Sequence, residues 1–67
     1  MSPTMKAARE HFQAKAAEAR VRLDLYCQNP LAVGDHSNVV EEVVKATEDY
    51  ESAVSCMEIL DAVGKEQ

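Results

Sequence analysis

Between residues 39 and 60 an uncharged side chain returns every four and then every three positions: Val39, Val43, Ala46, Tyr50, Ala53, Met57 and Leu60. That alternation is the heptad signature of an α-helix with one face laid along another helix. No charged residue interrupts it, so the stripe needs a partner to cover it. Just ahead of it, Asn38 and Glu41 have capping-box spacing, and Glu41 and Glu42 suit the positive end of the helix dipole. Gly64 followed by Lys65 reads as a stop signal. The spacing predicts a helix over about residues 38–63.

A partner for that stripe lies upstream. Ser2 can cap a helix whose first turn accepts Pro3, because proline lacks only an N–H that would be unpaired there. Met5, Phe12, Ala16, Ala19, Leu23 and Tyr26 then follow at spacings built from threes and fours, with Arg9 taking the one intervening turn. Asn29 precedes Pro30, which disfavours helical dihedrals at Asn29 and removes a donor. This predicts a first helix over about 3–27 and a loop over about 28–37. The chain has only two glycines and two prolines in 67 residues, which leaves both helices unbroken.

Two long helices joined by a short connection favour an antiparallel hairpin. Folding the chain about the loop pairs positions whose numbers sum to 65 or 66, so Phe12 meets Ala53, Ala16 meets Tyr50, Ala19 meets Ala46 and Leu23 meets Val43. Large tends to meet small, as with Phe12 and Ala53 or Tyr50 and Ala16, in the way interdigitated packing requires. Charge agrees: residues 3–27 carry five basic and three acidic groups, residues 38–63 one basic and seven acidic. Exposed ion pairs stabilise weakly, so these charges select a partner more than they hold the fold. The expected fold is all-α, a single helical-hairpin domain over 1–67.

A hairpin this small buries a small fraction of its surface, and a second copy is the expected remedy, giving a four-helix bundle. Apolar residues that the hairpin does not use mark the contact. Val21 and Leu25 lie on the far side of the first helix from Leu23, while Val40, Val44, Val54 and Ile59 flank the main stripe of the second. Left in water they form a patch that favours association. A different protein docking there, host or viral, is the alternative occupant.

Other chemistries find little support. No run reaches the roughly 18 consecutive apolar residues of a membrane span, and the first residues lead into charge rather than an apolar leader, so a soluble cytoplasmic protein is expected. Cys27 sits beside the loop and Cys56 deep in the second helix, too far apart to bridge within one hairpin. They read as reduced packing residues, with an intermolecular disulfide as the alternative. His11 and His36 fall at opposite ends of the hairpin, and a Cys27–His36 dyad lacks an orienting third group, so no catalytic residue is assigned. The Glu-x-x-His motif of diiron bundles, EF-hand loops and glycine-rich phosphate loops do not occur, so no metal, cofactor or small-molecule substrate is expected. The net charge of −5 disfavours nucleic acid as a partner, despite the basic side of the first helix.

Within the connection, Leu31 and Val33 can fold over the open end of the helix pair and Gly34 can supply a positive-φ turn. Together with Asp35 and His36 they form either a lid or a partner-binding tip. The run Tyr26-x-x-Asn29-Pro30-x-x-Val33-Gly34-Asp35-His36-x-Asn38-Val39-Val40-Glu41-Glu42 resembles that of a group of small helical proteins encoded by tailed bacteriophages, particularly those of marine bacteria. Asp35 stands where that group has glutamate and Ser37 where it has proline. The resemblance spans about residues 23–60 and brings across no catalytic residue. It implies a phage-encoded accessory or regulatory protein that binds a host or viral protein, or alternatively a minor virion or assembly component.

Overall fold

A computed structural model of the chain describes residues 1–29 and 38–66. Two helices account for nearly all of them: α1, Pro3–Gln28, and α2, Val39–Lys65. The expected loop residues Leu31, Val33, Gly34, Asp35 and His36 lie outside the described residues.

Each helix end has a local cause. Ser2 is the N-cap of α1 in extended geometry (φ −68°, ψ 160°), and its Oγ accepts a hydrogen bond from the Met5 N–H at 3.1 Å. Pro3 occupies the first turn, where its missing donor costs nothing. At the other end Asn29 leaves the helical region (φ −145°), as a residue before proline must, while its N–H still donates to the Leu25 carbonyl at 2.8 Å.

The ends of α2 correct two expectations. Asn38 is the N-cap, but with φ −102° and ψ 3° it lacks the extended geometry that aims a side chain at the first-turn donors, and the capping box is not formed. The helix also runs through Gly64 to Lys65 instead of stopping there. Gly64 makes room rather than a turn: a Cβ at this position would stand 3.2 Å from Met1 Cε and 3.8 Å from Met5 Cε.

The helices pack side by side and antiparallel, since Arg9 near the start of α1 bonds Asp61 near the end of α2, and Arg22 bonds Asp49 closer to the connection. Among the described residues four are buried, all of them alanines on the expected stripes: Ala16, Ala19, Ala46 and Ala53. Ala19 and Ala46, an expected pair, are both wholly inaccessible. Phe12 and Ala53, another such pair, line one surface groove together.

Small side chains at the seam let the two backbones approach closely. The consequence falls on the large residues of the stripes. Met5, Leu23, Tyr26, Val43, Tyr50, Met57 and Leu60 are displaced to the flanks and are only half-buried. No large side chain among the described residues is fully buried. The hairpin accordingly exposes 4832 Å², against about 4,200 Å² for a compact chain of its mass, and its radius of gyration of 14.9 Å exceeds the roughly 11 Å of a compact domain of this length.

Candidate interaction surface

Two interhelical ion pairs divide the hairpin into two broad sides. On one, the Arg9 guanidinium grips Asp61 through Nε at 2.7 Å and Nη2 at 3.3 Å. On the other, Arg22 Nη2 donates to Asp49 Oδ2 at 2.8 Å. Arg9, an interruption of the stripe by sequence, is thus a structural contact of its own. Arg22 is held less completely, because its Nε is buried without a hydrogen-bond partner. The hydrogen bond from each guanidinium is the main cause that holds the Asp61 and Asp49 carboxyls below their ordinary value, and the same bonds raise Arg9 and Arg22.

The expected contact residues take up distinct places around this frame. Val21, Leu25, Val40, Val44 and Ile59 are exposed, whereas Val54 is half-buried. At about 100° per residue, Val40 and Val54 fall toward the Arg9–Asp61 side, while Val44 points away from the seam and lines a groove with Asp49. Leu25 and Ile59 fall toward the Arg22–Asp49 side, and Val21 points away from the seam. They therefore do not form one continuous patch.

Sequence reasoning missed Val63, which is also exposed. Its signal was its position four residues after Ile59, which places the two side by side on α2. The exposed residues within the helices thus come as three such pairs: Val21 with Leu25, Val40 with Val44, and Ile59 with Val63. Pairs of this kind are short apolar ridges that fit the groove of another helix.

The described residues line open surface grooves. One is lined by Phe12, Lys15, Glu18, Arg22, Asp49 and neighbours, and another by Val40, Glu41, Val44, Lys45, Glu48 and Asp49. Cys27 is exposed, Cys56 half-buried, and both are free thiols. Among the described residues no cluster of three or more His, Cys, Asp or Glu side chains has the arrangement to hold a metal ion, and no helix is long and apolar enough to cross a membrane.

No match to this chain is found among family models, curated proteins or solved structures.

Proposed function

We propose that this chain is a non-enzymatic protein–protein interaction module that works as an oligomer of helical hairpins. The observation that carries the reading is a core made of four alanines while every large apolar side chain among the described residues stays half-covered or exposed. A chain of this size gains stability by covering those flanks, and burial of apolar surface is worth about 25 cal/mol per Å² before the costs of association. The loop run from Tyr26 to Glu42 supports a phage-encoded accessory or regulatory role, with a host or viral protein as the further partner.

Light scattering across a concentration series tests the reading. The wild-type protein is expected at twice 7.4 kDa or more, and Val44→Glu, which places a charge on an exposed ridge away from the seam, is expected to weaken self-association or partner binding while keeping helical content. A wild-type mass of 7.4 kDa at every concentration, with no partner recovered, would overturn it.

A further inference from the structure

The two broad sides of the hairpin differ in the way that decides which one a second copy can cover. Along α2, beside the seam, Val43, Thr47, Tyr50, Val54 and Met57 recur at spacings of four and three. Val43, Tyr50 and Met57 belong to the seam stripe and are half-buried; with Thr47 and Val54 they form a line on the Arg9–Asp61 flank that is uncharged until it reaches Asp61 itself. The matching line on the Arg22–Asp49 side reads Glu42, Lys45 and Asp49 before it continues through Ser52, Cys56, Ile59 and Val63, so charge occupies its half nearest the connection.

Polar atoms on the first side are already satisfied within the protomer. Thr47 Oγ1 donates to the Val43 carbonyl at 2.7 Å. The Arg20 guanidinium is raised chiefly by its hydrogen bond to Asp24 and further by Tyr50. Arg20 Nε donates to Asp24 at 3.0 Å, and Arg9 is bonded to Asp61. Each guanidinium on this side, Arg9 and Arg20, is matched by a carboxylate within the protomer, so neither needs a counter-charge from a second copy. Burial here leaves these donors with their partners.

Size agrees as well. The hairpin measures 48 × 15 × 14 Å. One broad side therefore offers roughly 700 Å², close to the ~800 Å² that each partner contributes to an interface of standard size.

We propose that the side carrying Val43, Thr47, Tyr50, Val54 and Met57 is covered by the same side of a second copy of this chain, completing a four-helix bundle. The proposal rests on the oligomeric reading above and goes further by assigning the face. The pairing is isologous, each copy giving and receiving the same contacts. The opposite side, with its charged half near the connection and the exposed Ile59–Val63 ridge, stays outside the bundle.

Isotope-filtered nuclear Overhauser measurements on a mixture of labelled and unlabelled wild-type protein test the assignment without any substitution. Contacts between copies are expected at the Tyr50 ring and the Val54 methyls and absent at Ile59. As a second measurement, Val54→Glu is expected to halve the mass seen by light scattering, and Ile59→Glu to leave it unchanged. If Val54→Glu unfolds the chain, the Overhauser contacts still decide. A dimer whose contacts fall on Ile59 or Leu25 overturns the face but keeps the oligomeric reading. A wild-type monomer overturns both.

Discussion

Arg9 and Asp61 stand 52 positions apart in the chain and meet through two hydrogen bonds, at 2.7 and 3.3 Å. With Arg22 and Asp49, this pair ties α1 to α2 at two heights, about 20 Å apart along α1 at 1.5 Å per residue. Heptad stripes repeat, so a slip of seven residues would still lay apolar against apolar. Two ion pairs at fixed positions break that degeneracy. Reversing one charge with Arg9→Asp should lower the melting temperature, and restoring opposition with Asp61→Arg in the same chain should recover most of the loss. Circular dichroism melts of the four members of this cycle measure the coupling, and equal effects of the single and double variants would show the pair to be inert.

Acid should weaken the hairpin in a defined window. Asp49 and Asp61 titrate below their ordinary value of 3.8 in the folded chain, chiefly through the bonds from Arg22 and Arg9. Groups with depressed folded values stabilise fully above the unfolded value and lose that contribution as the pH falls through the folded one. The melting temperature is therefore expected to be level from neutrality to about pH 5 and to decline below about pH 4. Asp49→Asn and Asp61→Asn should each flatten that decline, and high salt should reduce it. A melting temperature that rises on acidification contradicts the assignment.

Space, rather than hydrophobicity, limits the seam. Ala46 is wholly inaccessible, and Ala46→Leu should force the helices apart at a cost of about 1–3 kcal/mol, despite the larger apolar side chain. The same change at the exposed Ala62 should stay within about 0.5 kcal/mol. Urea denaturation of both variants gives the comparison, and a stabilised Ala46→Leu protein would refute the close seam.

Gly64 offers a test in the opposite direction. Helical glycine costs roughly 0.5–1 kcal/mol relative to alanine, and the atom that an added Cβ would meet, at 3.2 Å, is the far end of the flexible Met1 side chain. Met1 can move aside, so Gly64→Ala should raise stability by up to about 0.5–1 kcal/mol in the same urea titration. A lower midpoint would mean that Met1 is held more firmly than its exposed side chain indicates.

The helices and their facing stripes were legible in the sequence because heptad spacing follows directly from the pitch of an α-helix. Ala19 and Ala46 are both buried, and Phe12 and Ala53 line one groove, as stripes folded about the loop require. Three features escaped that reading. Arg9 read as a break in the stripe because spacing does not show that a long side chain can reach sideways to Asp61. Gly64 read as a terminator because glycine commonly ends helices, whereas α2 continues through it to Lys65. Around the helices, Val40 and Leu25 were grouped as apolar residues lying off the main stripe of each helix. Only the ion pairs reveal which flank of α1 lies beside which flank of α2, and with it that these two residues occupy different sides.

The contact between Met1 and Gly64 has a consequence for anything attached to this chain. Because the first and last turns of the hairpin touch, a fusion at either end emerges from one pole of the rod. A tag, a tether or a neighbouring domain placed there leaves the opposite pole, with Asn29 and Asn38, unobstructed for whatever approaches from that direction.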